Sequence, residues 1–188
     1  MHLRGVIPPL ITPFTEAGAV DYEAHRHNVE RWNQTGLAGY LVLGSNSEAV
    51  HLSESEKLTL IERTAAAAPG RLLLAGTGMD STAGTIRLTE QAAARGAAAA
   101  LVLTPYYYRR RMDDAALIRH FEEVAEAASI PILLYNVPKY TGVNLSWRAV
   151  AALSRHPNIV GMKDSSGNIA QLVQFQEAAG DRFQVLVG

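Results

Sequence analysis

The stretch Ile159-Val160-Gly161-Met162-Lys163-Asp164 is an apolar run that ends on a lysine and an aspartate. Such a run predicts a strand covered on both faces, as in parallel sheets. Because side chains alternate along a strand, Ile159, Gly161 and Lys163 should share one side of the sheet, and Met162 should take the other. We therefore expect Lys163 to point away from the helices, with the small Gly161 leaving space for its stem.

Similar apolar runs recur at a period of roughly 30 residues, which is the size of a strand followed by a crossover helix. Amphipathic segments with helix start signals lie between them, including Asp21, the Ser53/Glu56 capping box, Ser81, Asp113 or Asp114, Ser146 and Asn168. The pattern predicts a parallel α/β protein with strands at 6–12, 40–43, 71–76, 99–103, 132–135, 159–163 and 183–187.

Polar or aromatic residues follow several of these strands, and their distribution separates two architectures. A doubly wound sheet gathers its site at one crevice, whereas a (β/α)8 barrel collects site residues from the carboxyl ends of many strands. Here they follow the second, fourth, fifth and sixth predicted strands. We therefore predict a single (β/α)8 TIM barrel domain over residues 1–188, apparently truncated after its seventh strand and so incomplete at the C-terminus.

The composition excludes several function classes. The 188 residues carry 17 Lys and Arg against 18 Asp and Glu, a net charge of −1, which makes nucleic acid an unexpected partner. The absence of Cys removes thiolate nucleophiles and disulfides, and the six His form no grouping typical of a metal site. No stretch is apolar enough to predict a membrane span. We expect a soluble, cytoplasmic protein.

The chain has only three lysines, and Lys163 is the one that ends an apolar strand; Lys57 is expected on a solvated helix and Lys139 in a loop. A desolvated, partly neutral lysine can attack a ketone to form a Schiff base. The alternative is an ion pair with Asp164 or another carboxylate. Tyr135 ends the neighbouring predicted strand, where its phenol can relay protons or simply be a half-buried aromatic.

Two further segments follow strand ends. The small residues of Gly44-Ser45-Asn46-Ser47-Glu48 can converge on an anion such as a carboxylate, or form an ordinary turn. Tyr106-Tyr107-Tyr108 precedes three arginines, a composition that favours a subunit contact.

Four ordered motifs together resemble the dihydrodipicolinate synthase and N-acetylneuraminate lyase family of pyruvate-dependent class I aldolases. They are the Gly44 to Glu48 loop, Thr104-Pro105-Tyr106-Tyr107, Tyr135-Asn136-Val137-Pro138 with Thr141-Gly142, and Gly161-Met162-Lys163-Asp164. The resemblance implies a lyase of barrel fold, usually a homotetramer built from dimers, that acts on a 2-oxo acid without metal or organic cofactor.

The resemblance also implies roles for single residues. Lys163 matches the Schiff-base lysine and Tyr135 the proton-shuttling tyrosine. Ser45 and Asn46 match the pair that binds the pyruvate carboxylate, with Ser45 joining a proton relay. Tyr107 matches the tyrosine that reaches a neighbouring subunit's site, and Gly188 is expected to bind substrate.

Two departures bear on the substrate. Synthases that use aspartate semialdehyde carry an arginine where Tyr140 stands, and Ser47 replaces the glycine usual in the first loop. With the remaining motifs, this favours cleavage of 4-hydroxy-2-oxoglutarate to pyruvate and glyoxylate. The alternatives are a 4-hydroxy-tetrahydrodipicolinate synthase and, in another class, an inactive fragment with no catalytic role.

Overall fold

The computed structural model describes residues 3–188, which form two compact units. One contains residues 3–76 and 91–99, and the other contains residues 77–90 and 100–188. Six strands and seven helices follow one another along this part of the chain, with two helices between the fourth and fifth strands, and the strands paired within each unit are parallel. The fold class is α/β, as the sequence predicts.

The first unit holds helices α1 and α2 and a parallel pair of strands, β1 and β2, in which Gly39 is paired with Leu72 and Val42 with Ala75. The elements are α1 Tyr22–Trp32, β1 Gly39–Val42, α2 Glu54–Ala67 and β2 Leu72–Gly76, with short 3₁₀ turns at Ser45–Ser47 and Ala49–His51.

The remaining elements continue the alternation, and β3 with β4, β4 with β5, and β5 with β6 are parallel pairs. They are α3 Thr82–Ala93, β3 Ala99–Leu103, α4 Asp114–Ala127, β4 Ile132–Asn136, α5 Pro138–Thr141, α6 Trp147–Leu153, β5 Ile159–Asp164, α7 Ile169–Ala179 and β6 Gln184–Val187, with a 3₁₀ turn at Arg109–Arg111.

The predicted helix starts are confirmed by hydrogen bonds from the first turn. Ser53 and Glu56 form the complete capping box of α2, and Asp113 rather than Asp114 caps α4 by accepting from the Ala116 N–H at 2.8 Å. Ser146 and Asn168 cap α6 and α7 in the same way. These caps satisfy backbone donors that have no partner inside the helix.

The first predicted strand, at 6–12, is wrong as a strand. The segment runs beside β1, where Leu10 N–H donates to the Leu41 carbonyl at 2.8 Å and Leu41 N–H donates to the Pro8 carbonyl at 3.0 Å. Only an isolated bridge, Pro9 with Leu41, forms. Pro8 and Pro9 have no N–H, so a continuous ladder is impossible there.

The alternation predicted for β5 is interrupted by a register shift. Ile132 is paired with Ile159, but Leu133 is paired with Gly161, so the chain bulges at Val160. Ile159 consequently lies in the same core cluster as Met162, on the helix side, rather than on the side of Lys163. A β-bulge of one residue reverses the facing of everything before it.

The strand needs a glycine at position 161 for a different reason from the one expected. A Cβ at this position would overlap the carbonyl oxygen of Gln184 on β6, so the glycine permits close approach of a neighbouring strand rather than making room for Lys163.

No helix among residues 3–188 is both long enough and apolar enough to cross a membrane.

His120 on α4 is buried, and burial lowers its pKa to about 4. Its Nδ1 lies 2.9 Å from Thr82 Oγ1, while Nε2 has no hydrogen-bond partner within the described residues. The unfolded chain takes up a proton near pH 6.5, which the folded chain resists. Stability is therefore retained above pH 6.5 and lost as the pH falls toward 4.

We predict that lowering the pH from 7 to 4.5 reduces the unfolding free energy of the wild type by about 2 kcal/mol more than that of His120→Gln. The comparison removes the contribution of His25, another buried histidine whose pKa is lowered mainly by burial. Urea unfolding at the two pH values measures the difference. An equal pH dependence in both proteins would contradict the assignment.

Candidate active site

Lys163 and Tyr135 are a directly opposed pair at the carboxyl ends of β5 and β4. Leu134 and Met162, the preceding pair, lie in the helix-side core, so Tyr135 and Lys163 occupy the other side of the sheet. The Lys163 Nζ lies 4.9 Å from the centroid of the Tyr135 ring. Tyr135 is buried and Lys163 half-buried, so the structure brings an amine and a phenol together at the end of two rigid strands.

The alternative interpretation of Lys163 as an ion-pair residue is wrong for the described part of the chain. None of the ion pairs formed by these residues includes Lys163. The carboxylate of Asp164 is instead hydrogen-bonded to Asn136 and Ser166.

Gly188 lies against the stem of this lysine. Its N–H donates to the Asp164 carbonyl at 2.9 Å, and a Cβ added here would lie 2.5 Å from Lys163 Cε and would also overlap Ser165 Oγ. Any larger residue would therefore displace the lysine or its neighbour.

The loop after β3 is held by Asp80, which the sequence interpretation missed. One oxygen of its carboxylate accepts from the N–H groups of Tyr106 at 2.8 Å and Tyr107 at 2.9 Å. The rings of Tyr107 and Tyr108 are exposed and meet edge to face at 5.0 Å. With Met79 and Met112 they line a hollow in the surface.

Arg109 extends from this loop onto the loop that follows Tyr135. A Cβ built on Gly142 would lie 3.3 Å from both Cδ and Nη1 of Arg109. Tyr140 in the same loop is 66% exposed. Arg109 thus brings a guanidinium from another loop against Gly142, and none of the ion pairs within residues 3–188 involves it.

The loop that carries Ser45 and Asn46 belongs to the first unit and exposes both side chains. Ser47 is buried beneath them: its Oγ donates to the Leu10 carbonyl at 2.5 Å, and its own carbonyl accepts from Thr12 Oγ1 at 2.7 Å. Leu43 and Glu48 have φ of 62° and 54°. The left-handed residues therefore flank the turn, and Ser47 needs no glycine-like freedom.

The sequence profile of the dihydrodipicolinate synthetase family matches residues 2–188. The chain belongs to this family. The match confirms the resemblance inferred from the four motifs, and the strand order is that of part of the (β/α)8 barrel predicted from the sequence.

The 4-hydroxy-tetrahydrodipicolinate synthase of Xanthomonas campestris is 43% identical over 189 residues, which cover all of this chain and 62% of that protein. Dihydrodipicolinate synthase from Aquifex aeolicus superimposes with a TM-score of 0.93 at 36% identity, over 99% of this chain and 63% of that one. The Acinetobacter baumannii enzyme complexed with pyruvate gives 0.94 at 34%, over 100% and 64%. The chain spans less than two thirds of these relatives.

The other two lysines in this family member have different surroundings. Lys57 on α2 is half-buried rather than solvated, and burial lowers its pKa. Lys139 is exposed, with its Nζ 5.5 Å from the Tyr140 ring centroid. Among residues 3–188, no group of three or more His, Asp or Glu is placed to hold a metal ion.

We predict that Ser47→Ala lowers the unfolding free energy by about 1–3 kcal/mol, because it leaves the buried Leu10 carbonyl without its donor. Urea unfolding measures the loss. Asn46→Ala, in the exposed part of the same turn, serves as the control and should change stability by less than about 0.5 kcal/mol. Equal losses in the two variants would refute the anchoring role of Ser47.

Proposed function

We propose that the protein is a pyruvate-dependent class I aldolase in which Lys163 forms the Schiff base. The observation that carries the proposal is the opposed pair of Lys163 and Tyr135, with Nζ 4.9 Å from the ring centroid. A related synthase was solved as a complex with pyruvate, which supports pyruvate as the first substrate.

The chemistry needs an amine, a proton relay and a carboxylate site. The neutral amine of Lys163 attacks the ketone carbon of pyruvate, and the carbinolamine loses water to give an imine. The protonated imine accepts the electron pair released when the methyl carbon loses a proton, and the resulting enamine attacks an aldehyde. An amine carried by the aldehyde, or water where the aldehyde has none, then attacks the new imine carbon and displaces the lysine.

Each remaining site residue has a proposed role in that cycle. Tyr135 transfers protons to and from the carbinolamine, and Ser45 takes part in the same relay. Ser45 and Asn46 hold the pyruvate carboxylate, and the Gly188 backbone lines the substrate position beside the lysine. In a homo-oligomer, the exposed Tyr107 reaches the site of the neighbouring subunit.

For the second substrate, we propose aspartate semialdehyde, which makes the reaction that of a 4-hydroxy-tetrahydrodipicolinate synthase. The relative at 43% identity bears that name. Preference for 4-hydroxy-2-oxoglutarate was inferred from Tyr140 in place of an arginine, but that inference does not discriminate. Glyoxylate and aspartate semialdehyde both carry a carboxylate, so either reaction benefits from a cation at this place.

Arg109 is the proposed source of that cation. Its side chain packs on Gly142, in the loop seven residues after Tyr135, and Tyr140 leaves the position without a charge of its own. A guanidinium can bind a carboxylate through two parallel hydrogen bonds.

We predict that borohydride in the presence of pyruvate reduces an imine at Lys163 and at no other lysine. Peptide mapping by mass spectrometry locates the modification. Lys163→Arg should abolish labelling, because a guanidinium is not a nucleophilic amine at neutral pH.

Lys57→Arg is the matched control, since Lys57 is half-buried like Lys163 and burial lowers its pKa. It should leave labelling unchanged. Labelling at Lys57 or Lys139 would overturn the role of Lys163, and no labelling of the folded protein would overturn the proposed function.

We predict that Arg109→Gln raises the KM for aspartate semialdehyde about 10- to 100-fold, the effect of losing a charged hydrogen bond worth about 1.5–3 kcal/mol. Labelling of Lys163 by pyruvate should not change. Steady-state kinetics with each substrate varied in turn measures both effects.

Arg111→Gln, from the same 3₁₀ turn, is the control and should leave both parameters near the wild-type values. If the two variants behave alike, Arg109 is not the carboxylate ligand. A higher kcat/KM of the wild type for 4-hydroxy-2-oxoglutarate than for aspartate semialdehyde would reinstate the aldolase assignment.

A further inference from the structure

A buried amide–carboxylate pair lies directly after the proposed catalytic pair. Asn136 is opposed to Asp164 in the β4–β5 register, one residue beyond Tyr135 and Lys163. The Asn136 Nδ2 donates to Asp164 Oδ1 at 2.7 Å, and the exposed fractions of the two residues are 0% and 3%. Because the sides alternate, this pair lies on the helix side of the sheet.

Every polar atom of the Asn136 side chain has a partner. Nδ2 also donates to Asn144 Oδ1 at 2.9 Å, and Oδ1 accepts from the Leu145 N–H at 3.0 Å. The other carboxylate oxygen of Asp164 accepts from Ser166 Oγ at 2.6 Å. The pair therefore has a defined orientation rather than a choice of rotamers.

The contacts extend from the strand ends into the surrounding loops. Asn144 and Gln171 exchange two hydrogen bonds, of 2.8 and 3.0 Å, which tie the segment after α5 to α7. The main chain is closed as well, since Ser165 N–H donates to the Asn136 carbonyl at 2.8 Å and Gly188 N–H donates to the Asp164 carbonyl at 2.9 Å.

Burying such a polar pair stabilises a sheet less than burying an apolar pair of similar size. Burying a carboxylate without a cation carries a large desolvation cost, and no ion pair among residues 3–188 includes Asp164. Leu134 and Met162, one step earlier on the same side, are apolar. The polar pair replaces this apolar packing only where the strands carry the amine and the phenol.

We infer that Asn136 and Asp164 are positioning residues that fix the axial alignment of β4 and β5, and with it the distance between Lys163 and Tyr135. The inference rests on the proposed function. Neighbouring residues on one strand move together, so a slip of either strand end that breaks the buried pair also separates the reacting groups. A misplacement of about 1 Å can lower a rate 100-fold.

The test measures the rate of imine formation with pyruvate, by borohydride trapping per folded molecule, together with the melting temperature. Asn136→Ala and Asp164→Ala should slow trapping about 10- to 100-fold. Asn158→Ala is the matched control, because the partly buried Asn158 amide donates to the carbonyls of Ala125, Ala128 and Ile130 at the other end of β5. The Asn158→Ala variant should lower the melting temperature and leave the trapping rate unchanged.

Isosteric variants separate geometry from charge and keep the test valid where an alanine variant does not fold. Asp164→Asn still accepts from Asn136 and should retain trapping within about threefold. Asn136→Asp opposes two carboxylates and should lose trapping as strongly as the alanine variants. The double variant N136D/D164N restores an amide–carboxylate pair and should recover most of the rate.

The outcomes distinguish the two levels of the proposal. An unlabelled wild type would overturn the proposed function itself. A labelled wild type with undiminished trapping in Asn136→Ala and Asp164→Ala, or no recovery in the double variant, would overturn the positioning role. A loss in Asp164→Asn equal to that in Asp164→Ala would show that the charge, and not the alignment, is what matters.

Discussion

The parallel pairing of β4 with β5 is the constraint on which the candidate site depends. It opposes Tyr135 to Lys163 and Asn136 to Asp164, so one register determines both the proposed reacting groups and the polar pair behind them. The bulge at Val160 precedes these pairs, and it is what brings Ile159 and Met162 to the same side. If Val160 were paired regularly instead of bulging, and Ile159 kept its place in the core, Lys163 would face the helices.

The fold was predictable because its signals are local. Apolar runs and caps such as Ser53 and Asp113 indicate the structure of the segments in which they lie. The predicted ends of β1 to β6 agree with the observed ends to within a residue or two. The bulge was not predictable, because it arises from pairing with another strand. The segment at 6–12 shows the other limit: its apolar residues read as a strand, but Pro8 and Pro9 decide the hydrogen bonding.

The residues of the candidate site could be proposed from single strand ends and motifs. Lys163 and Tyr135 follow from runs that end on a functional group. The contacts that support them join distant parts of the chain, as when Asp80 accepts from Tyr106 and Tyr107 or Ser47 donates to Leu10. Sequence spacing alone carries no signal for such contacts. Tyr140 illustrates this limit. Judged by position, the arginine of the motif is missing, whereas Arg109 from another loop packs against Gly142.

In this fold, an arginine on one loop can take the place of an arginine that another loop lacks. The carboxyl ends of consecutive parallel strands lie at one edge, so the loops after β3 and β4 are neighbours although 33 residues separate the ends of these strands, Leu103 and Asn136. Arginine is long enough for its guanidinium to serve a site while its Cα stays on the next loop. Substrate preference therefore depends on where the charged group lies, and not on which loop supplies it. A substitution at one motif position does not by itself change the reaction.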